Sequence, residues 1–239
     1  MRKLARRALA AIAATATAAL TAAPAAADPL TYTVQNGDYL TGTNSGDIIG
    51  FGIQSGATFE CPSSVFSGST PKDAWGNPVV NGTVDGDGIV TLDDVWFAGP
   101  GEDVCLVNGA HAQVTPLGLP WKFVATGAGT GSGPAETTEG RLADVQIKVG
   151  IPSLGCQVIV GGPGAGGSDG YAEATYTNPS TLTANDGTLY MPFLGATNLT
   201  VLSVSSPIAC AGVYDLGETV LLTGYYNLFN AIGISPTID

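Results

Sequence analysis

Apolar and polar residues alternate in short runs along most of the chain, separated by clusters of Gly, Asn, Pro and Asp. In DVQIKV (144–149), for example, the apolar Val145, Ile147 and Val149 alternate with three polar residues. A period of two is typical of a β-strand with one buried and one wet face, whereas helical periodicity is missing after residue 27. The pattern predicts strands over 31–34, 58–61, 79–84, 89–97, 104–107, 121–126, 141–149, 157–160, 172–176, 188–191, 200–204 and 219–226.

Short alternating strands in this number favour an all-β fold. We predict an antiparallel β-sandwich over residues 57–239, with Greek-key or jelly-roll-like connections, preceded by an N-terminal extension over 28–56. Two glycine-rich stretches, 127–140 and 161–170, contain too few apolar residues to form strands and are predicted as long loops.

The first 27 residues have the features of an export signal. Arg2, Lys3, Arg6 and Arg7 give it a positive start, an apolar stretch follows, and Ala25-Ala26-Ala27 form a cleavage site. The first cysteine is Cys61, so no lipid-attachment cysteine follows the signal. The sequence therefore predicts a protein that is secreted, extracellular or associated with the cell surface, with no transmembrane segment after signal removal.

Acidic residues dominate the mature chain. All 20 acidic residues but only 4 of the 8 basic residues follow residue 27, which gives the mature chain a formal charge of −16. Such a charge repels nucleic acid and anionic membranes, and we expect neither as a partner.

The even number of cysteines in an exported chain predicts two disulfides, and four cysteines allow three connectivities. A comparison of the two halves of the domain favours one of them. Each half has a cysteine on a strand, a hairpin, a strand leading to a second cysteine, and a closing strand. We infer a diverged duplication with half-repeats at about 57–130 and 141–230, and we predict the pairs Cys61–Cys105 and Cys156–Cys210.

The order of these landmarks resembles a known family. The chain resembles the exported alkane-oxidation activators of the PraA/PraB type in the following order of landmarks: a cysteine on an early strand, NGTV and VTLDDVWFAG flanking a turn, a second cysteine, GLPWKFVATG, RLADVQIKV, LGCQVIVGG and a final cysteine. The resemblance covers about residues 57–226, and its most distinctive element is GLPW (118–121). It implies a non-catalytic exported or cell-surface protein, linked in that family to growth on hydrocarbons. We predict that the protein acts by binding or assembling at the cell surface, with an unknown ligand or surface polymer as its partner. The extension at 28–56 and the greater acidity are departures from the family.

Signals of catalysis are sparse, and we predict no enzymatic activity and no cofactor. His111 is the only histidine, so a two-histidine metal site is excluded and any catalytic triad must use this residue. Ser168 lies in a G-x-S-x-G motif (166–170), the pattern of a hydrolase nucleophile, but a strand-like segment follows it instead of a helix. A secreted hydrolase is therefore a remote alternative.

The stretch TVDGDGIVTLDDV (83–95) resembles part of a calcium-binding loop, with Asp85, Asp87 and Asp94 as candidate metal ligands. A calcium-stabilised carbohydrate-binding accessory module is thus an alternative function. The same residues also fit a β-hairpin with DGDG as its turn, and we favour the hairpin because no helix follows the loop. The adjacent Asp93 and Asp94 then suggest a β-bulge or an exposed strand end.

Carboxylates and aromatic residues offer further candidates. Asp93, Asp94, Glu102 and Asp103 contain pairs that glycoside hydrolysis requires, although adjacent acids are expected in so acidic a chain. An aromatic platform for a sugar or an apolar ligand could draw on Trp75, Trp96, Trp121, Tyr171, Tyr176, Tyr225 and Tyr226. Trp121 is predicted to lie in the core, and Trp75, in the loop PKDAWGNP, is the predicted ligand contact.

Overall fold

The computed structural model describes residues 30–97, 104–127, 129 and 133–239. The predicted signal segment, Glu102 and Asp103 lie outside these residues. Eighteen β-strands and two 3-10 turns, Pro152–Leu154 and Ala165–Gly167, occur in the described parts. The strands are β1 Thr31–Gln35, β2 Tyr39–Asn44, β3 Ile48–Gly52, β4 Thr58–Cys61, β5 Ser64–Ser69, β6 Gly82–Asp85, β7 Val90–Phe97, β8 Cys105–Val107, β9 Ala110–Leu117, β10 Trp121–Ala125, β11 Thr137–Ala143, β12 Gln146–Ile151, β13 Cys156–Gly161, β14 Tyr171–Thr177, β15 Thr188–Met191, β16 Thr200–Val204, β17 Val220–Asn230 and β18 Thr237–Ile238.

Eight strands close into a barrel, the first ring. Their order is β15-β14-β11-β10-β7-β5-β2-β17, and β17 pairs again with β15. Every pairing is antiparallel. The predicted all-β antiparallel fold is confirmed, but the strands close on themselves and do not form the two facing sheets of a sandwich or jelly roll. Closure removes the free edges that an open sheet would expose.

A second ring shares β17 with the first. It runs β17-β3-β4-β8-β9-β12-β13-β16. It closes where Val220 N donates to Leu199 O and Val201 N donates to Glu218 O, both at 2.9 Å. The long strand β17 pairs with β3 through Val220–Thr223, and with β2 and β15 further along. The two rings are therefore continuous through one strand.

The two halves of the chain enter the rings in the same order. Between β2 and β10 the chain passes from the first ring to the second and back twice. The first ring receives β2, β5, β7 and β10, and the second ring receives β3, β4, β8 and β9, while β6 belongs to neither ring. From β11 to β17 the same alternation recurs, with the two ends of β17 serving as the last two positions. Each half thus contributes four strands to each ring.

Residues 31–52, which lie within the predicted N-terminal extension 28–56, form β1, β2 and β3. β2 and β3 are members of the two rings, and β1 pairs with β18 and β6 in a small third sheet. Asn178, at the end of β14, fixes β18 there, because its amide donates to Ile238 O and accepts from Ile238 N. These strands are integral to the packed structure.

The core consists of inward side chains from both rings, and glycine makes room for the largest of them. Trp121, Phe59, Phe66 and Phe123 are fully buried, which confirms the core position predicted for Trp121. Gly42 on β2 lies directly opposite Phe66 on β5, and a Cβ at Gly42 would lie 2.1 Å from that ring. Gly50 on β3 faces Phe59 on β4 in the same way. The glycine positions are therefore filled by aromatic rings from neighbouring strands.

Both predicted disulfides are confirmed. Cys61–Cys105 joins neighbouring strands β4 and β8 of the second ring, with 4.2 Å between the Cα atoms. Cys156–Cys210 joins the start of β13 to the turn that follows β16. All four cysteines are buried.

The hairpin predicted around DGDG is wrong. β6 pairs with β1, whereas β7 pairs with β5 and β10, so residues 86–89 turn the chain from one sheet into another. The β-bulge at Asp93-Asp94 is confirmed, because Ser67 faces Asp94 while the next residue, Gly68, faces Leu92. The bulge returns Val95 and Phe97 to the core, where Val90 and Leu92 also point. Across the described ranges, no helix is long and apolar enough to cross a membrane.

Candidate binding groove

An open groove crosses the outer surface of β10, β11 and β14. Three connected depressions of about 480, 500 and 250 Å³ form it. Its floor lies at Ala143, which stands between Lys122 on β10 and Tyr171 on β14 in the register of the three strands. The depression forms because the small side chain of Ala143 lies between these two long side chains. In the next row Arg141 lies between Val124 and Glu173.

The groove contains both basic and acidic groups. Lys122 Nζ lies 4.0 Å from Asp144 Oδ2, with both side chains partly exposed. The Arg141 guanidinium lies over the Tyr171 ring, 5.4 Å from its centroid, and directly opposite Glu173. The other charged residues that line it are Asp87, Asp169 and Glu139. Two of the four basic residues of the mature chain therefore face this one surface.

The rim of the groove is held by side-chain bonds to the main chain. Asn198 accepts a hydrogen bond from Tyr171 N at 2.7 Å and donates one to Asp169 O at 2.8 Å. Asp144 and Asp169 both adopt a left-handed backbone, with φ of 62° and 61°. This conformation is uncommon outside glycine, although Asp tolerates it better than most residues. The turns that carry these two carboxylates are thus defined by specific contacts.

A pair of stacked tyrosines continues the same outer face. Tyr190 on β15 and Tyr225 on β17 lie directly opposite, with ring centroids 4.1 Å apart and planes at 12°. Glu139, Thr175 and Tyr190 are paired across β11, β14 and β15, so the tyrosine pair is in register with the groove wall. A hydrogen bond with Tyr190 raises the pKa of Tyr225 above its ordinary value. From β10 to β17 the face spans four strand spacings, roughly 19 Å.

The predicted metal ligands do not come together. Asp85 ends β6 and is exposed, Asp87 lies in the following turn, and Asp94 lies on β7, roughly 14 Å beyond Val90. In the part of the chain that the structure describes, no group of three His, Cys, Asp or Glu residues could hold a metal ion. Of the three, only Asp87 lines the groove.

Ser168 and His111 are also far apart. Ser168 lines the groove after the 3-10 turn Ala165–Gly167 and before β14, so it does not open a helix. His111 is exposed on β9, six residues before Leu117, which faces Gln146 at the groove. Six strand residues place it roughly 20 Å from the groove wall.

The candidate aromatics divide between core and surface. Trp121, Tyr176 and Tyr226 are buried, whereas Trp75 is 88% exposed at the tip of a tight loop. Asp73 Oδ1 accepts hydrogen bonds from Trp75 N and Asn77 N and thereby fixes that loop. Trp75, the predicted ligand contact, does not line the groove. Lys122, Arg141 and Asn198 do line it, but they were not predicted as site residues. No short sequence motif marks these three residues, because they are far apart in the chain and only the order of the strands brings them together.

Comparisons with protein-family models, with curated proteins and with solved structures find no match for this chain.

Proposed function

We propose that the protein is exported and acts without catalysis, by binding a ligand or surface polymer at the cell exterior. The N-terminal signal pattern, the acidity and the two disulfides support export. The resemblance to exported activators of hydrocarbon oxidation supports a binding role.

One observation carries the proposal: the groove is built on rigid strands from polar groups of both signs beside a tyrosine ring. Side chains on paired strands keep their positions, which suits recognition. Ser168, the candidate nucleophile, lines the groove, whereas the only histidine, His111, lies roughly 20 Å along β9 from the groove wall, and the hydrogen bond that would activate a serine spans about 3 Å.

Secretion and binding can be tested together. The full-length chain is expressed in a bacterial host and the mature protein is sought in the medium and the washed cell surface. We expect processing after Ala27 and recovery outside the cytoplasm. Retention of the mature protein on washed cells should fall when the groove variant Arg141→Ala/Tyr171→Ala replaces the wild type, but not with Tyr39→Ala, an exposed tyrosine on β2.

A panel of ester, peptide and glycoside substrates tests the absence of catalysis. Hydrolysis by the wild type that disappears in Ser168→Ala, or in Asp93→Asn or Asp94→Asn, would overturn the non-catalytic proposal. A hydrolytic rate equal in wild type and variants indicates a contaminating enzyme and leaves the proposal standing.

A second candidate function, contact with apolar material, is favoured by a separate surface. Exposed apolar side chains at one end of the first ring, here named the apolar end, are Trp75, Val80, Leu182 and Ile232. Asn36 connects three of their segments, since it bonds to Asn81, to Leu182 O and to Asn230. A cluster of exposed apolar residues is a recognised mark of a contact surface.

Adsorption to emulsified hexadecane measures this second function. Trp75→Ser/Ile232→Ser should reduce adsorption, while the pair Leu194→Ser/Ile208→Ser, at side chains that are 87% and 91% exposed in the segments after β15 and β16, should not. Equal loss in both pairs would indicate general hydrophobicity and would remove the apolar end as a specific site.

A further inference from the structure

The charges in the groove limit the ligand that it accepts. Lys122 is beside Asp144, and Arg141 is directly opposite Glu173, so each of the two basic groups of the groove has an acidic neighbour. A polyanion would be repelled by the five carboxylates that line the groove, and a polycation would be repelled by Lys122 and Arg141. The net charge of the mature chain, −16, further disfavours a polyanion.

Hydroxyl groups satisfy both kinds of partner. A hydroxyl donates to a carboxylate and accepts from an ammonium or guanidinium group, so neighbouring hydroxyls suit adjacent charges of opposite sign. Asp87, Asp169 and Glu139 add acceptors, while Lys122 and Arg141 supply donors. A polyhydroxylated ligand without charge fits this arrangement.

The aromatic rings add a second requirement. Tyr171 lies within the groove, and the Tyr190–Tyr225 stack lies further along the same outer face. Such rings present apolar faces together with polar hydroxyls. A pyranose ring has one face of C–H bonds and an edge of hydroxyls, which matches aromatic faces beside hydrogen-bonding groups.

We propose that the groove and the tyrosine pair together bind a neutral polysaccharide. The chain of sugars would cross β10, β11, β14, β15 and β17, a path of roughly 19 Å that accommodates several successive rings. This proposal rests on the proposed binding function and names its ligand class. It requires no metal ion.

Affinity electrophoresis of the mature protein tests the ligand class. Native gels contain a soluble neutral glucan, mannan, xylan or galactan, the polyanion polygalacturonate, or the polycation chitosan. We expect retardation in at least one neutral glycan and none in polygalacturonate. Tyr171→Ala and Tyr225→Ala should each weaken binding about tenfold, the equivalent of one stacking contact.

Matched variants separate recognition from misfolding. Tyr225→Phe keeps the ring and should retain most of the retardation, whereas Tyr39→Ala and Trp75→Ala, on other surfaces, should match wild type. All substituted side chains are partly or largely exposed, so we expect each variant to fold. Denaturant melts of each variant check this.

The outcomes distinguish this proposal from the one on which it rests. No retardation in any neutral glycan, or retardation that is unchanged in both Tyr171→Ala and Tyr225→Ala, overturns the polysaccharide proposal. If the protein still binds cells and Arg141→Ala/Tyr171→Ala abolishes that binding, the groove remains a binding site for another ligand. If wild type neither binds cells nor is retarded in any gel, both proposals fail.

Discussion

The carboxylate of Glu218 accepts a hydrogen bond of 2.8 Å from the hydroxyl of Ser55, although 163 residues separate them. Its other oxygen accepts a bond of 2.7 Å from Asp215 N. Glu218 is buried and lies where Val201 and Val220 close the second ring. One side chain therefore ties the loop after β3 to the segment that precedes β17.

Replacement of Glu218 should weaken the second ring at its closure. Glu218→Ala leaves the Ser55 hydroxyl and the Asp215 N–H without these partners, and we expect the free energy of unfolding to fall by about 1–3 kcal/mol. Urea denaturation measures the change. Glu60→Ala, at an exposed glutamate on β4, is the control and should change stability by less than about 0.5 kcal/mol. Equal effects of the two variants would contradict the role assigned to Glu218.

The glycine at position 42 should be intolerant of any side chain. A Cβ there would lie 2.1 Å from the ring of Phe66, so Gly42→Ala forces that ring to move and should cost about 1–3 kcal/mol. Phe66→Leu removes the obstructing ring, and the double variant should be more stable than the sum of the two single effects predicts. Strictly additive losses in urea melts would mean that the two residues do not compete for the same space.

The two disulfides should contribute almost equally to stability. They close loops of similar length, with separations of 44 and 54 residues, and chain entropy assigns about 4 kcal/mol to each. We expect Cys61→Ser/Cys105→Ser and Cys156→Ser/Cys210→Ser to lose similar amounts, within about 0.5 kcal/mol of each other. Urea melts of both variants, with the oxidised wild type as reference, measure this. A loss confined to one pair would show that local contacts outweigh chain entropy.

Alkaline pH should unfold the protein through its buried tyrosines. Burial raises the pKa of Tyr176, Tyr214 and Tyr226 above the ordinary value near 10. The unfolded chain therefore loses these protons first as pH rises, and the stability present below about pH 10 is lost above it. Phenolate absorbance should show these three tyrosines titrating only as the protein unfolds.

The control for this pH effect is Tyr226→Phe. This substitution removes one hydroxyl group whose pKa is raised, together with its 2.7 Å hydrogen bond with Ser64, and should make the loss of stability above pH 10 less steep. Reversible titration of every tyrosine near pH 10 with the fold intact would refute the expectation.

The sequence predicts strands well where one strand carries its own apolar face. The stretch 145–149 is such a case, since Val145, Ile147 and Val149 are all fully buried. The single strand predicted over 141–149 is nevertheless wrong, because the chain turns at Asp144 between β11 and β12. By contrast, β2, β3 and β5 were missed because their inward positions include Gly42, Gly50 and Gly68. The apolar groups that fill the space at Gly42 and Gly50 come from neighbouring strands, and the pattern of a single strand cannot reveal them.

Pairing partners were harder to predict than strands. The turn residues DGDG correctly mark a reversal, but a tight turn does not determine whether the strands it joins share a sheet, and β6 and β7 do not. The groove depends on the contact of β11 with β14, which the sequence separates by two strands of the second ring. The disulfides were predictable because the landmarks repeat in order. The two halves also follow equal paths through the rings, but these paths begin at β2 and β11 and not at residues 57 and 141.

The position of β17 at the end of the chain has a consequence for biosynthesis. Neither ring can close before residues 220–230 are available, because both use this strand as a member. A nascent or partly translocated chain therefore has open sheet edges throughout and no finished core. For a protein that we propose is exported, this order delays closure of both rings until residue 230 has passed the membrane, which keeps the preceding chain in the unfolded form that a narrow export channel can accept.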